Sequence, residues 1–317
     1  MRAKYVQGFL AFFFFIGFNV SVSAQDASRV YIEPMGWSIG TNFGMSDMWG
    51  NVGTLSVVDH YTNSKAFDKP CFLGGMFARY TIHPCLAFRG QLNIGALYST
   101  DKWNYDKAKV ANSQANDAYQ RYVRDQNALD YMAEGLLIAE FSPFRVNPES
   151  KMAHRRGQPF LGAGIGGLYF VPYASVGNTS TFVQTYNLHL EGQGWGAGYP
   201  QNYSLWQPCF PVVLGYKWDL GMHFNLGVEW MYRFTLTNYL DGVANNYVEP
   251  TEFAKHLSAH DAQVALMIED KTIFMTTPIT PAVPGSTRGT PTTYDSYSTL
   301  TVTFYYKVKN RRREWWH

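Results

Sequence analysis

The chain has 317 residues, a formal net charge of +2, 17% aromatic residues and only 16% charged residues. A charge so close to zero gives no overall field for nucleic acid, so this class of partner is not expected. The length suits one large domain or two ordinary ones. The 22 tyrosines and 9 tryptophans fit two structures, since aromatic residues gather at membrane interfaces and also in the cores of β-sandwiches.

The N-terminus has the three parts of an export signal. Arg2 and Lys4 precede the apolar run FLAFFFFIGFNV, which is followed by the small-residue sequence SVSAQ. The run is short for a membrane anchor, and Val22-Ser23-Ala24 matches a cleavage site. We therefore predict that residues 1–24 are a signal peptide. The mature chain then begins at Gln25, which is not the cysteine of a lipoprotein.

No later segment has the roughly 20 apolar residues that a membrane helix needs. If the mature chain lies in a membrane, it must therefore cross as a closed barrel. Eight segments alternate with the period of two that is typical of barrel strands. They are Met35–Phe43, Phe72–Ile82, Leu86–Tyr98, Leu129–Phe141, Phe160–Phe170, Phe210–Trp218, Asp219–Phe234 and Ser298–Val308.

The seventh segment, DLGMHFNLGVEWMYRF, shows the alternation most completely. One face is apolar from Met222 to Phe234, and the other face carries His223, Glu229 and Arg233. A strand of a soluble sandwich could have this pattern, and so could a membrane strand with lipid on one side and a polar interior on the other. The alternation alone leaves both structures open.

The lengths of the connections favour the membrane barrel. Short turns (IHPC, Arg145–Gly157 and WDLGM) alternate with long loops, as in outer-membrane barrels with periplasmic turns and extracellular loops. We therefore predict an all-β fold: a closed, antiparallel, eight-stranded transmembrane barrel over residues 25–309, located in the outer membrane. The loop Asp101–Ala128 has the composition of a helix, and the stretch His260–Phe274 leaves an additional hairpin open.

Charged residues are predicted on the inward faces of several strands. An eight-stranded barrel has an interior just wide enough for side chains, and a buried ion without a partner is costly. We therefore expect an ion-pair network that fills the lumen, and a conduction path or proton relay is the alternative. The predicted network consists of Arg79, Arg89, Glu134, Glu140, Lys217, Glu229 and Arg233.

No arrangement of residues predicts catalysis or a metal site. His60 beside Asp59, and His256 and His260 near Asp261, lie in loops without a nucleophile at a suggestive spacing. The sequence GAGIGGL matches a dinucleotide motif but has no helix after it, so we interpret its glycines as strand residues. No Cys/His metal spacing is present. We expect a protein that is not an enzyme, with no cofactor and no small-molecule substrate.

The three cysteines do not form a disulfide framework, because their number is odd. Each of Cys71, Cys85 and Cys209 is predicted at the start of a strand. We expect small buried thiols. A Cys71–Cys209 bridge is the alternative, since both residues are predicted at the same rim of the barrel.

Residues 310–317 form a predicted periplasmic tail that is basic and aromatic. Its arginines suit anionic lipid headgroups and its tryptophans suit the membrane interface, and a docking peptide for a periplasmic partner is the alternative. The candidate contact residues are Arg311, Arg312, Arg313, Trp315 and Trp316.

The stretch GYKWDLGMHFNLGVEWMYRFTLTNYLDGV, Gly215–Val243, resembles a known family. It is similar to PorG, the small outer-membrane barrel component of the type IX secretion system of Bacteroidetes, whose corresponding pattern is T-x-T-D-Y-L-D-D-V. Here Asn238 and Gly242 stand at two acidic positions of that pattern. The residues of this family-like motif are Thr237, Asn238, Tyr239, Leu240, Asp241 and Val243, of which all but Asn238 match the pattern.

The resemblance implies a non-enzymatic anchor or scaffold for protein secretion. Its expected partners are outer-membrane lipids and the periplasmic ring formed by a lipoprotein and partner subunits. The alternatives from the residues are a surface adhesion or ligand-binding barrel that uses the loops Gly44–Lys69 and Thr235–Thr293, and a small porin. For the motif itself, the alternative to a binding role is a turn that caps a loop, because Asp and Gly favour turns.

Overall fold

A computed structural model describes residues 35–53, 61, 69, 71–111, 113, 115–147, 149–221, 223–274 and 281–308. The predicted signal peptide, residues 1–24, and the predicted tail, residues 310–317, lie outside these described residues.

Eight long antiparallel strands form one closed barrel. The strands are β1 (Gly36–Trp49), β2 (Cys71–His83), β3 (Leu86–Thr100), β4 (Asn127–Phe141), β5 (Gly157–Ser175), β7 (Trp206–Asp219), β8 (Phe224–Thr235) and β9 (Ser296–Lys307). Each pairs with the next long strand, and β1 pairs with β9 to close the sheet. Among the described residues, the short strand β6 (Phe182–Gln184) pairs with the end of β5. The predicted fold class is confirmed: this is a closed antiparallel transmembrane barrel of eight strands.

The alternation of apolar and polar residues in the sequence corresponds to an alternation of exposed and buried side chains in the structure. On β1, Trp37, Ile39 and Phe43 are 52%, 54% and 62% exposed, whereas Ser38 and Asn42 are each 4% exposed. The apolar residues therefore face outward and the polar residues face the lumen. Every barrel strand carries large apolar residues that are exposed. Such exposure would be unfavourable in water, and a lipid environment explains it.

The inner face of β5 becomes clear only in the structure. Phe160, Leu168 and Phe170 point into the lumen and are at most 2% exposed, while Leu161 and Ile165 point outward. The glycines of GAGIGGL lie within this strand, as expected. On β1, glycine permits a close approach of the neighbouring strand, because a Cβ at Gly40 would lie only 2.3 Å from Cβ of Tyr305.

The connections divide between the two ends of the barrel. One end holds the tight turn between β2 and β3, the 142–156 segment and the turn before β8, and also both ends of the described barrel. The other end holds the long loops between β1 and β2, β3 and β4, β5 and β7, and β8 and β9. By the usual arrangement of such barrels we refer to the first end as periplasmic and the second as extracellular.

The described parts of the long loops form an outer cap. These described parts contain four α-helices, α1 (Tyr105–Lys109), α2 (Asp117–Arg124), α3 (Pro250–His256) and α4 (Ala259–Glu269). The helix expected in Asp101–Ala128 is therefore confirmed, whereas the possible hairpin at His260–Phe274 is a helix. The reason is local, since the Ser258 side chain accepts a hydrogen bond from the backbone N–H of Asp261 and caps α4.

The cap has an apolar core of its own. Its buried members come from β5, the loop after β6, the segment before α3, and α3 and α4 themselves: Ala174, Leu188, Leu190, Val248, Phe253, Ala262, Ala265 and Ile268. Since these side chains come from distant parts of the sequence, the core ties two long loops into one unit over the barrel. No helix in the described residues is long and apolar enough to cross a membrane.

Candidate functional site in the barrel lumen

Glu134 of β4 is the centre of one lumen cluster. Arg233 of β8 reaches it with two nitrogens, Nη2 at 2.6 Å from Oε1 and Nε at 3.1 Å from Oε2. Asn93 Nδ2 donates to Oε1 at 2.6 Å, and the Tyr297 hydroxyl donates to Oε2. Both charged side chains are completely buried. A buried ion pair is tolerated when further hydrogen bonds satisfy its remaining atoms, as they do here.

A second lumen cluster lies nearer the periplasmic end and consists of two arginines and two glutamates. Arg79 Nε lies 2.7 Å from Glu140 Oε2, and Arg89 Nε lies 3.1 Å from Glu140 Oε1. Arg89 Nη1 also donates to both carboxylate oxygens of Glu229 at 2.8 Å. Arg89 thus connects β3 to carboxylates of β4 and β8. This bond to Glu229 crosses the lumen, because β3 and β8 are not neighbours in the sheet.

Lys217 is the remaining member of the predicted network. It is 4% exposed, and its Nζ lies 5.7 Å from the centre of the Phe160 ring, a cation–π distance. The structure therefore brings six predicted residues into two carboxylate clusters and places Lys217 beside an aromatic ring. His223 differs from the expectation of an inward side chain, because its ring stacks on the outward-facing Tyr306 at 5.8 Å.

Three further charged residues form an ion-pair cluster at the periplasmic end, here called the periplasmic clamp. Arg145 Nη2 lies 3.0 Å from Asp219 Oδ2, and Lys307 Nζ lies 2.6 Å from Asp219 Oδ1. All three side chains are at most 5% exposed. The clamp fixes the 142–156 segment to the ends of β7 and β9. Sequence reasoning missed Arg145 because it lies in a turn, where no period indicates direction. Asp219 and Lys307 alternate in phase with the inward-facing residues of their strands, so the period-two pattern would have identified them.

The family-like motif lies where β8 enters the cap, and most of it is buried. Asp241 accepts hydrogen bonds from the backbone N–H of Val52 at 2.8 Å and of Val243 at 2.9 Å. The Tyr239 ring stacks on Tyr203 with 4.3 Å between centroids, and its hydroxyl accepts from Asn245 Nδ2 at 2.6 Å. These contacts join the loop after β8 to the loop after β1 and to the loop before β7.

The other motif residues have equally local roles. Thr237 Oγ1 accepts from the Tyr239 N–H at 3.2 Å, and Asn238 Nδ2 donates to the Pro291 carbonyl at 3.0 Å. Leu240 and Val243 are 0% and 2% exposed. Gly242 has φ +67°, a left-handed conformation that favours glycine over an acidic residue. The geometry is that of a turn holding the cap, with little side-chain surface left for a ligand.

Two buried carboxyl groups meet at this turn. A Cβ added to Gly50 would lie 2.5 Å from Asp241 Oδ2 and 2.9 Å from Asp295 Oδ1, so both carboxyls converge on the same point. Asp295 Oδ2 accepts from the Leu240 N–H at 2.9 Å. Burial raises the pKa of Asp241 to about 6, and burial together with Asp241 raises the pKa of Asp295 well above its ordinary value. Both directions follow from the cost of a buried negative charge.

Other buried charges of the cap were not predicted. Arg288 Nη1 lies 2.8 Å from Glu191 Oε1, and Arg124 Nε lies 2.8 Å from Asp101 Oδ2. Burial also raises the pKa of Glu269 to about 7 and lowers that of Lys271 to about 7. These residues lie on short helices and irregular segments of the long loops, outside the barrel strands, so the period-two alternation of the sequence could not have identified them.

Within the described residues no group of three or more His, Cys, Asp or Glu could hold a metal ion. His256 stacks on Trp195 at 4.5 Å in the cap. His60 and Asp59, like the tail residues Arg311, Arg312, Arg313, Trp315 and Trp316, lie outside the described residues. Cys71, Cys85 and Cys209 are free thiols, so the alternative Cys71–Cys209 bridge is absent.

No protein-family model matches the chain, and no curated protein matches it in sequence. The solved structures that are similar in fold include the following two. One is Neisserial surface protein A (NspA), with a TM-score of 0.35 and 9% identity over 86% of this chain and 97% of that chain. The other is the outer membrane protein OprG from Pseudomonas aeruginosa, with a TM-score of 0.34 and 9% identity over 88% of this chain and 98% of that chain.

Proposed function

We propose that this chain is a non-enzymatic outer-membrane barrel that anchors periplasmic subunits of a protein secretion machine of the type IX kind. The observation that carries the proposal is the filled lumen. Charged side chains occupy it from the periplasmic clamp through Glu140 to Glu134, and the cap lies over its outer end. A barrel with such an interior is suited to holding a position in the membrane rather than to passing solutes.

The periplasmic face supports a role in contacting a partner. Phe144 and Val146 in the 142–156 segment are 42% and 54% exposed, and Leu220 in the turn before β8 is 51% exposed. The periplasmic clamp holds both turns through Arg145 and Asp219. A rigid face with exposed apolar residues is typical of protein interaction sites. The basic tail follows β9, which ends at this face, and belongs to the proposed contact surface.

The family-like motif has a different part in this proposal. Its buried residues stabilise the cap, while the turns and the tail contact the periplasmic ring of lipoprotein and partner subunits. Outer-membrane lipids are the partners of the outward apolar band, which includes Trp37, Ile39 and Phe43. Neither set of contacts involves a cofactor or a small-molecule substrate.

A pull-down from detergent-solubilised envelopes tests the anchor role. We expect Phe144→Asp with Val146→Asp, and separately deletion of Arg311–His317, to lose periplasmic partners, because each change removes part of the contact surface. The matched control is Val283→Asp, at a cap residue that is 62% exposed. Equal partner recovery from all the variants and the unaltered protein would contradict the anchor role.

A second candidate function follows from the ordered cap. An extracellular unit with its own apolar core could present a surface for adhesion or ligand binding, as the long loops suggested. Whole cells that display the barrel would then bind a surface ligand, and Val283→Asp rather than the periplasmic variants would change the binding. The filled lumen makes the third possibility, a small porin, the weakest of the three.

A further inference from the structure

His83 and Cys85 form a close pair in the turn between β2 and β3. The imidazole Nδ1 of His83 lies 3.0 Å from Sγ of Cys85 and 3.3 Å from the backbone nitrogen of the same residue. Both side chains are partly exposed, while Pro84 between them is buried. The Cys85 carbonyl accepts a hydrogen bond from the Ser142 N–H at 2.8 Å, which fixes the turn to the next periplasmic segment.

These two contacts determine the tautomer of His83. A backbone N–H can only donate, so Nδ1 must present its lone pair to the Cys85 N–H. The ring proton of the neutral imidazole then lies on Nε2. The contact between Nδ1 and Sγ is therefore made by the thiol donating to the same nitrogen. His83 is positioned to accept the thiol proton, which is how a histidine activates a cysteine nucleophile.

Cys85 has no cysteine within reach in its own chain. Cys71 begins β2 at the extracellular end, and Cys209 lies near the extracellular start of β7. The 13 residues of β2 span about 40 Å at about 3.3 Å per residue. A disulfide needs Cα atoms within about 7 Å of one another. In an oxidising compartment, an accessible thiol with no cysteine within reach in its own chain is available to form a disulfide with another molecule.

We propose that Cys85, with His83 as its base, forms a mixed disulfide with a disulfide-bonded periplasmic protein. His83 Nδ1 takes the proton from Sγ, and the thiolate attacks one sulfur of the partner's disulfide. A new bond forms between Sγ and that sulfur as the partner's S–S bond breaks. The departing sulfur leaves as a thiolate and takes the proton from His83. The partner's disulfide is the oxidant, so no other reactant is required.

The chemistry is independent of the anchor role. The inference depends on the proposed function only for the periplasmic location of the turn. A covalent link here would add to the contacts of Phe144 and Val146, because the Ser142–Cys85 hydrogen bond joins the two turns.

The first test uses the purified full barrel with Cys71→Ser and Cys209→Ser, in detergent, with 5,5′-dithiobis(2-nitrobenzoate) as the model disulfide. We expect one thiolate released per chain. His83→Asn is the matched variant, since asparagine offers an acceptor oxygen near the position of Nδ1 but takes no proton. It should react roughly tenfold more slowly at about pH 7, and the two rates should converge at about pH 10, where thiols ionise unaided.

Three outcomes of this test would overturn the proposal. If the barrel that retains His83 and the His83→Asn variant react at equal rates at neutral pH, His83 does not act as the base. No reaction of the barrel that retains His83 would show that Cys85 is inaccessible. A rate that falls equally at all pH values would indicate a purely structural effect of the substitution and would also contradict the base role.

The second test separates the chemistry from the location. A membrane-impermeant maleimide should label Cys85 only after the outer membrane is permeabilised; labelling of intact cells would contradict the periplasmic placement while leaving the thiol chemistry intact. Acid-quenched, alkylated cells should show a reducible adduct on non-reducing gels. The adduct should be absent in Cys85→Ser and weaker in His83→Asn. An adduct that persists in Cys85→Ser, or no adduct in any strain, would overturn the mixed disulfide.

Discussion

The lumen and the turn that joins the barrel to the cap bury their carboxyl groups in two different ways. In the lumen, Glu134, Glu140 and Glu229 each lie within 3.1 Å of an arginine nitrogen. At the turn that joins the barrel to the cap, Asp241 and Asp295 accept hydrogen bonds from backbone N–H groups and converge on one another. Strands present side chains at a fixed spacing and can pair them across the lumen, whereas loops have unpaired backbone donors to satisfy.

Because of this difference, the lumen and the cap should respond differently to substitution and to pH. The lumen depends on specific partners, so removal of one partner leaves an unpaired buried ion. The cap depends on carboxyl groups whose protonation changes near neutral pH. We therefore expect the lumen to be sensitive to substitution and the cap to be sensitive to pH.

The largest effect is expected for Arg233→Met. It leaves Glu134 buried without its bidentate partner, so the free energy of unfolding of the barrel should fall by about 3–5 kcal/mol. Urea unfolding in lipid vesicles measures this loss of free energy. The readout is the different gel mobility of folded and unfolded barrels. The control is the double variant Arg233→Met with Glu134→Gln, which removes the charge and should recover part of the loss. If the double variant is no more stable than the single one, the paired-ion description of the lumen is wrong.

A smaller effect is expected for the pH dependence of the cap. Asp241 and Glu269 have raised pKa values of about 6 and about 7, so the folded cap binds more protons than the unfolded one in mild acid. Its stability should fall as pH rises from about 4 to about 7, by about 3 kcal/mol for each of these two groups at about 1.4 kcal/mol per pKa unit. The lowered pKa of Lys271, about 7, acts in the opposite direction, since the unfolded cap binds more protons above that pH.

The cap should therefore be least stable near neutral pH and more stable on either side. Hydrogen exchange of the cap amides at several pH values, with the intrinsic exchange rates divided out, measures this. Barrel amides in the same sample serve as the internal control. A cap whose protection is greatest at neutral pH would contradict the assignment of these groups.

Asp130→Asn tests the boundary between the two regions. Asp130 lies on the inner face of β4, is 0% exposed, and both of its carboxylate oxygens lack a hydrogen-bond partner among the described residues. Replacing it with a neutral side chain of the same shape should stabilise the barrel by about 1–3 kcal/mol at neutral pH, because a buried carboxylate without partners is costly. The same urea experiment applies. A clear loss of stability would mean that the negative charge of Asp130 stabilises the folded barrel.

The smallest effect is expected for Tyr239→Phe. The substitution keeps the stacking on Tyr203 and removes only the hydroxyl that accepts from Asn245, so the cap should lose about 1 kcal/mol. Proteolysis of the folded cap should become several-fold faster, while the gel shift of the barrel stays unchanged. Equal proteolysis of both proteins would show that the motif does not hold the cap.

The same contrast explains what the sequence could predict. Period-two alternation identified all eight barrel strands and the inward direction of residues such as Arg89 and Glu229, because a strand fixes the direction of each side chain. It could not show that Arg89 reaches Glu229 across the lumen, because the pairing depends on barrel closure. Arg145, Glu191 and Arg288 were missed, since loop residues take their direction from tertiary contacts. The Tyr239–Asp241 turn was expected, but the partners Tyr203 and Val52 were not.

The central claim is that the lumen of this transmembrane barrel is filled by its own side chains. Recording from the purified protein in planar lipid bilayers tests it most directly, because ion flow requires a continuous aqueous path. We predict no stable conductance above the bilayer background for the unaltered protein. A steady, large conductance that depends on the presence of the barrel would contradict the claim, and the anchor role inferred from it would have to be replaced by transport.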